Sequence, residues 1–218
     1  MPSLPPLNAI IDADAAAAHR WSVPDLARAF LAGGARFLQV RAKTAGSGWL
    51  LAVCDEIVAA ARPLGAIVIV NDRADVARLS LADGVHVGQT DLTPLQVRTI
   101  LGPDVLVGLS THTPAQIDAA TDPPASYVAV GPVFGTGSKE TGYAPVGLER
   151  VRYAAERERR GRRRPVVAIG GITLDRAPDV LAAGATSVAV IGDLFTGGDP
   201  EARVRAWVER LGRGASGG

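Results

Sequence analysis

The chain has 218 residues, of which 47% are hydrophobic and 21% charged, which suits one globular domain with a sizeable core and leaves little room for two. Its 23 lysines and arginines nearly balance 22 aspartates and glutamates, so the overall charge favours neither nucleic acid nor membrane. The single cysteine, Cys54, excludes an intrachain disulfide and a cysteine-rich zinc site. Because the N-terminus lacks a basic start and no segment has about 18 consecutive apolar residues, we expect a cytoplasmic protein without membrane contact.

Short apolar runs alternate along the chain with stretches of helical spacing. Eight runs predict strands, in the order LNAII, ARFLQV, AIVIV, GVHVG, VLVGL, YVAVGPV, PVVAIGG and SVAVIG. The helical stretches between them include DLARAFLAGG, LLAVCDEIVAAA, ADVARLSLA, LQVRTIL, GLERVRYAAERE and APDVLAAG. Continuous apolar strands alternating with helices indicate a parallel sheet covered by helices. We therefore predict an α/β fold, a single (β/α)8 TIM barrel over residues 1–211, followed by a disordered glycine-rich tail over 212–218.

The predicted helix ends agree with this count. The segments Thr93–Gln96 and Thr113–Gln116 each place a hydroxyl at the N-cap, proline at N1 and glutamine at N3. Glycines typical of helix C-termini precede the next strand at Gly33, Gly34 and Gly184. An open doubly wound sheet is the alternative, but polar residues end nearly every strand, and in a barrel those ends form the catalytic face.

The end of the second predicted strand carries three polar side chains in alternation: Gln39, Arg41 and Lys43. A period of two points all three to one face, where two cations repel each other unless an anion lies between them. A diphosphate fits that requirement. The alternative is an exposed strand end with ordinary salt bridges.

Two aspartates follow neighbouring strands. The third strand ends at Asn71 and Asp72, and Asp91 follows the fourth. Because adjacent strands lie about 4.8 Å apart, the two carboxylates can converge on one Mg²⁺, which prefers a few carboxylates plus phosphate and water oxygens. The alternatives are that Asp72 pairs with Arg73 or Arg41, and that Asp91 only precedes a helix cap.

The hydroxyl, imidazole and thiol groups give no sign of a protein nucleophile. Ser110 ends the fifth strand and is positioned to donate to a substrate, but nearby His112 lacks an obvious acidic partner, so we predict no Ser-His triad. His86, inside the fourth strand, and His19, in an alanine-rich loop, are expected to be structural or solvated. Cys54 lies in a helical pattern and is expected to be a buried thiol.

The last three strands end in segments suited to phosphate. After the sixth strand, GPVFGTGSKETG places Thr136, Ser138 and Lys139 among glycines, a pattern typical of a phosphate cradle that also closes as a lid. The seventh and eighth end at Gly170–Gly171 and Ile191–Gly192, the two ends that often bind phosphate through backbone N–H groups. A flexible polar loop and tight strand-to-helix packing are the alternatives.

Taken together, LQVRAK, VNDRADVA, DGVHVGQTDL, VGLSTHT, YVAVGPVFGTGSKET, VVAIGGI and SVAVIGDLF resemble, in order over residues 35 to 195, the thiamine phosphate synthase family. The resemblance implies a transferase with one Mg²⁺ per subunit. Its two small-molecule substrates would be 4-amino-2-methyl-5-(diphosphomethyl)pyrimidine and a plain or carboxylated thiazole phosphate, and its products thiamine phosphate and diphosphate. Whether the chain forms a homo-oligomer stays open.

The resemblance also assigns residues. It puts the pyrimidine diphosphate on Gln39, Val40, Arg41, Ala42, Lys43, Asn71, Ser110 and Lys139. It puts the thiazole phosphate on Thr136, Gly137, Ser138, Gly171, Ile191 and Gly192. It puts Mg²⁺ on Asp72 and Asp91 and implies catalytic roles for Arg41, Lys43, Ser110 and Lys139. The first strand, NAIIDADAAAAHR, fits the family pattern poorly, and no role is assigned there.

Two rival functions are set aside on particular residues. In the related thiazole tautomerases a histidine occupies the position of Pro132 and the acid after the fourth strand is typically lost, whereas this chain has proline and Asp91. A non-catalytic protein that binds phosphate ligands or nucleic acid would use the six arginines within 157–164. We interpret that cluster instead as a solvated helix end, because basic side chains favour a helix C-terminus and no aromatic residue is interleaved for base stacking.

Overall fold

Eight parallel strands close into one barrel in sequence order, with the first strand also paired to the last. The computed structural model describes residues 4–120, 124–135 and 144–215. The strands are β1 (Leu7–Asp12), β2 (Phe37–Arg41), β3 (Ile67–Asn71), β4 (Gly84–Val87), β5 (Leu106–Thr111), β6 (Tyr127–Val130), β7 (Val166–Ile169) and β8 (Ser187–Val190). The predicted TIM barrel is confirmed, and the open sheet is wrong.

Helices follow the strands and cover the barrel. They are α1 (Ala13–Ala18), α2 (Val23–Ala32), α3 (Ser47–Ala61), α4 (Ala74–Leu79), α5 (Pro94–Leu101), α6 (Pro114–Ala119), α7 (Gly147–Arg160), α8 (Ala177–Ala182) and α9 (Pro200–Ala215), with 3-10 helices at Arg62–Leu64 and Gly192–Phe195. None of the helices in the described ranges combines the length and apolar character needed to cross a membrane. Helix α9 continues through 212–215, which the sequence assigned to the tail, and 216–218 lie outside the described residues.

The helix ends follow the predicted capping chemistry. The hydroxyls of Thr93 and Thr113 accept from the backbone of the third helical residue, whose glutamine side chain bonds back to the cap, so both capping boxes are confirmed. Gly33 is the C-cap of α2, while Gly34 and Gly184 follow α2 and α8 at φ +100° and +105°.

Helix α1 was not predicted. The Asp12 carboxylate starts it by accepting the backbone N–H of Ala15 at 2.9 Å. His19 is therefore a helix C-cap rather than a loop residue, and its ring stacks on Phe195 with centroids 4.2 Å apart. Six residues rich in alanine carry too little hydrophobic periodicity to distinguish such a helix from a loop.

The core has two layers because strand side chains alternate in direction. The outer layer packs the strands against the helices and includes Cys54, which is buried on α3 as predicted. Burial raises the pKa of this thiol to about 12. The inner layer fills the barrel interior with Leu4, Ile10, Phe37, Ile69, Tyr127, Ala129, Val167, Ala189 and Ile191.

The arginine cluster within 157–164 lies at the end of α7 and just beyond it. Arg157 pairs with Asp118 of α6, with Nε 2.6 Å from Oδ1, and both side chains are substantially exposed. This agrees with a solvated helix end. Arg164 differs, because its side chain is fully buried and forms a salt bridge of 2.6 Å with the buried Glu158. This salt bridge holds the segment between α7 and β7 against the end of α7.

Candidate active site

A cavity of about 680 Å³ opens at the C-terminal ends of the strands. It gathers the side chains or backbone of Gln39, Arg41, Lys43, Asn71, Asp72, Asp91, Ser110, Gly171, Ile191 and Gly192, which are all the predicted site residues in the described ranges except two. The two are Val40 and Ala42, which alternate with the cavity-lining residues and pack against the outer core. The predicted Thr136, Gly137, Ser138 and Lys139 lie outside the described residues.

A row of three amide side chains crosses the cavity from β1 to β3. The Asn8 amide N–H donates to Gln39 Oε1 at 3.5 Å, and the Gln39 amide N–H donates to Asn71 Oδ1 at 3.0 Å. All three side chains are buried, with Asn8 only 1% exposed. The Oδ1 atom of Asn8 is buried and has no hydrogen-bond partner. The row therefore ends at β1 in an unsatisfied acceptor.

The two cations of β2 and its C-terminal extension each have a carboxylate partner. Arg41 forms an ion pair with Asp12 at the end of β1, with side chains 12% and 4% exposed. Lys43 Nζ lies 2.9 Å from Asp72 Oδ2. These are the salt bridges kept as the alternative, but three of their four residues, Arg41, Lys43 and Asp72, line the cavity. Asp72 pairs with Lys43 rather than with the arginines named in that alternative.

Asp72 and Asp91 are close enough for their carboxyl groups to interact. Burial raises the pKa of Asp72, the adjacent Lys43 ammonium partly offsets this, and Asp91 raises it further. Asp72 adopts φ +63°, while Asp91 Oδ2 accepts the Gly88 N–H at 2.8 Å. In the described ranges no three histidine, cysteine or acidic side chains form a metal-binding group. The two carboxylates fit a cation that takes its remaining ligands from water or phosphate, as Mg²⁺ does.

Ser110 is held by His86, which is more than a structural histidine of β4. Its Nε2 lies 2.8 Å from Ser110 Oγ, and its Nδ1 lies 3.1 Å from the Tyr127 hydroxyl. Burial raises the pKa of Tyr127, so this hydroxyl stays protonated. Gly108 makes the contact possible, since a Cβ there would lie 2.2 Å from the Tyr127 ring and 2.3 Å from His86 Nδ1.

His112 does not activate Ser110. Its Nδ1 lies 2.6 Å from the Gly131 carbonyl oxygen, which only accepts, so Nδ1 carries the proton. Ser110 bonds to a different imidazole, and the next member of that chain is a tyrosine hydroxyl. The described hydrogen bond of the Ser110 hydroxyl is therefore made with His86 and not with His112.

The opposite side of the cavity is formed by the ends of β7 and β8. Gly171 has φ +63°, and a Cβ there would lie 2.4 Å from the Gly135 carbonyl oxygen, so no larger residue fits. Arg176 lies against this turn, with Nη1 donating to the Gly171 carbonyl at 3.2 Å and its guanidinium 4.7 Å above the Phe134 ring. None of the recorded ion pairs among the described residues involves Arg176.

Five residues in the contacts described above were missed from the sequence: Asn8, Asp12, His86, Tyr127 and Arg176; Asp12 pairs with Arg41, and the other four line the cavity. A signal existed for the first two, because Asn8, Ile10 and Asp12 alternate along β1 as Gln39 and Arg41 do along β2. A signal existed for Arg176 as well, because this cation lies 5 residues after Gly171, in the segment predicted to bind phosphate. The His86 and Tyr127 contact depends on strand register, which no local pattern indicates.

The family model and the curated relatives point to one family. The family model described as thiamine monophosphate synthase matches residues 7–194. A thiamine-phosphate synthase of Koribacter versatilis is 40% identical over 210 residues, covering 95% of this chain and 96% of its own. One from Anaeromyxobacter dehalogenans is 45% identical over 195 residues, covering 87% and 86%. The solved thiamine phosphate pyrophosphorylase from Pyrococcus furiosus superposes with a TM-score of 0.84 at 28% identity, covering 95% and 96% of the two chains.

Proposed function

Since the chain belongs to the thiamine monophosphate synthase family, we propose that it joins 4-amino-2-methyl-5-(diphosphomethyl)pyrimidine to a thiazole phosphate. It is a thiamine-phosphate synthase, a transferase of thiamine biosynthesis that acts on small molecules. The observation that carries the detailed proposal is the division of one cavity into two polar sides. Two cations and two carboxylates line the cavity at β2 to β4, and a glycine turn with an arginine lies at β7 and β8.

In the proposed reaction the bond between the pyrimidine methylene carbon and the diphosphate oxygen breaks, and diphosphate leaves with the electron pair. The thiazole nitrogen then supplies its lone pair to that carbon, so a C–N bond replaces a C–O bond and the new ring nitrogen is cationic. The electron-rich aminopyrimidine stabilises the methylene cation. No protein nucleophile is required, and the residues act by stabilising the departing charge.

We assign the diphosphate to Arg41 and Lys43, with Lys139 as a third cation. Mg²⁺ held by Asp72 and Asp91 would neutralise charge on the diphosphate oxygens when bound. Lys43 contacts Asp72, so a divalent cation held by Asp72 would compensate that carboxylate and would leave the Lys43 ammonium available to the leaving group. Asp12 keeps the Arg41 guanidinium near the cavity in the same way that a carboxylate orients any buried arginine.

We assign the thiazole phosphate to the other side of the cavity, at Gly171, Ile191 and Gly192, together with Thr136, Gly137 and Ser138. Arg176 adds positive charge to this side, and its bond to the Gly171 carbonyl holds it against the proposed phosphate site. Ser110, held by His86, supplies a hydroxyl to the pyrimidine substrate between the two sides.

The isomerase alternative is less well supported. Pro132 lines the cavity where that reaction would require a proton-transferring side chain, and a proline has none. Binding of nucleic acid by the arginine cluster is also poorly supported, because Arg157 and Arg164 already pair with acids. A cytoplasmic location is part of the proposal.

The proposal is tested by mixing the protein with the pyrimidine diphosphate, a plain or carboxylated thiazole phosphate and Mg²⁺, then separating the products. We expect thiamine phosphate and diphosphate in equal amounts, and neither when one substrate is omitted or when Mg²⁺ is chelated. Folded protein that yields neither product with either thiazole would overturn the proposal.

A further inference from the structure

We infer that Asn8 reads the exocyclic amino group of the pyrimidine ring and thereby determines which diphosphate substrate the cavity accepts. The inference rests on the proposed function and adds a specificity residue from β1, the strand to which the sequence assigned no role. Its starting observation is that Asn8 lines the cavity, is 1% exposed, and has an Oδ1 atom without a hydrogen-bond partner.

A buried acceptor without a partner lowers the stability of a folded protein, because the atom has lost its water and gained nothing in return. Within a solvent-excluded core such an atom only lowers the stability of the folded state. At the wall of a cavity that a substrate enters, the same atom becomes a recognition group, because the ligand supplies the missing donor. Asn8 is in the second situation, since it lines the cavity beside Gln39.

The direction of the amide row identifies what the ligand must offer. Gln39 donates to Asn71 and accepts from Asn8, which leaves the Asn8 oxygen as the free group at the β1 end. An acceptor recognises an N–H donor.

The surroundings of Asn8 suit a flat ring rather than a phosphate. Ile10, Tyr127 and Ala129 supply apolar cavity surface. Asn8 lies four residues before Asp12 on β1, so along a strand the two are about 13 Å apart. The ion pair of Asp12 and Arg41 is thus at the strand ends, while Asn8 lies deeper in the barrel. A substrate with its diphosphate at the strand ends and its aminopyrimidine ring inside the barrel can contact Arg41 and Asn8 at the same time.

The test replaces Asn8 by leucine, which has nearly the same size and no polar atom. We compare binding of the pyrimidine diphosphate with binding of an analogue that lacks the 4-amino group, and with inorganic diphosphate, each with Mg²⁺. Wild-type protein is expected to prefer the amino compound, and Asn8→Leu to lose about tenfold of that preference. Binding of inorganic diphosphate should stay unchanged. Tm should change little, because the unsatisfied Asn8 Oδ1 is removed while Gln39 Oε1 loses its donor.

Ser187 provides the matched control. It is fully buried at the start of β8, its Oγ also lacks a partner, but it does not line the cavity. Ser187→Ala removes an equally unsatisfied atom, so it should leave all three affinities unchanged. If Asn8→Leu keeps the wild-type preference for the amino compound, the inference is wrong.

Two further outcomes are decisive. If Asn8→Leu lowers Tm strongly and weakens binding of all three ligands equally, Asn8 has a structural role and the inference is overturned. Asn8→Ala is measured in parallel, to show whether the effect comes from the leucine side chain or from the loss of the asparagine. Wild-type turnover is assayed separately. Product formation by wild type together with unchanged specificity in Asn8→Leu rejects this inference while leaving the proposed function intact. Absence of product from wild type rejects the proposed function itself.

Discussion

Arg41 and Asp12 form an ion pair between the ends of β2 and β1, and the same Asp12 carboxylate starts α1 by accepting the Ala15 N–H. Replacing Asp12 by alanine leaves a largely buried guanidinium without its partner. We expect Asp12→Ala to lower the free energy of unfolding by about 3 kcal/mol, measured by denaturant titration.

The control for that measurement is Glu149→Ala, which breaks a pair with Arg152 whose side chains are 89% and 54% exposed. Exposed pairs contribute little to stability, so the unfolding midpoint should hardly move. Equal losses in the two variants would show that burial does not strengthen the Asp12 pair.

Asp72→Asn tests the proposed metal position. Asparagine tolerates the φ of +63° found at this residue, so the backbone should be retained while the charge is lost. The Mg²⁺ concentration for half-maximal turnover is expected to rise by about tenfold or more. Asp75→Asn is the matched control, since Asp75 pairs with Arg73 away from the cavity. Normal Mg²⁺ dependence in Asp72→Asn would remove this aspartate from the metal site.

Lys139→Ala tests the third cation assigned to the leaving diphosphate. Loss of one positive charge directed at a departing group should lower turnover by about a hundredfold or more. Steady-state rates with both substrates at saturation measure the effect. Turnover near the wild-type value would count against the assignment of Lys139.

Arg176 should serve the thiazole phosphate rather than the diphosphate. Loss of a charged hydrogen bond to one substrate predicts that Arg176→Ala raises KM for the thiazole phosphate by about tenfold and leaves KM for the pyrimidine diphosphate unchanged. Arg205→Ala, which removes an arginine paired with Glu201 on α9, controls for overall charge. A rise in both KM values would argue against two separate anion sites.

Cys54 should be inert in the native protein. Its thiol is buried and its pKa is raised to about 12, so at pH 8 almost none is the reactive thiolate. A thiol reagent should therefore label the protein only after denaturation, with one group per chain. Rapid labelling of the native form would mean that the helix layer around α3 opens readily.

The barrel was predictable because most positions of each strand are apolar, as the composition of a strand buried on both faces requires. Gln39, Arg41 and Lys43 were predictable because polar side chains interrupt such a run with a period of two. Asn8 and Asp12 have the same period, but with the apolar Ile10 between them the pattern is weaker. The contacts among His86, Ser110 and Tyr127 join three strands and depend on the space left by Gly108, so no single segment encodes them.

The pairing of β1 with β8 has a consequence for how the chain is made. Ribosomes synthesise β1 first and β8 last. Until Val190 has been synthesised, the first seven strands can form only an open sheet with an unpaired edge strand on each side. Exposed edges of parallel sheets invite pairing with other chains. Premature termination anywhere before β8 should therefore yield fragments that aggregate or are degraded rather than smaller working enzymes.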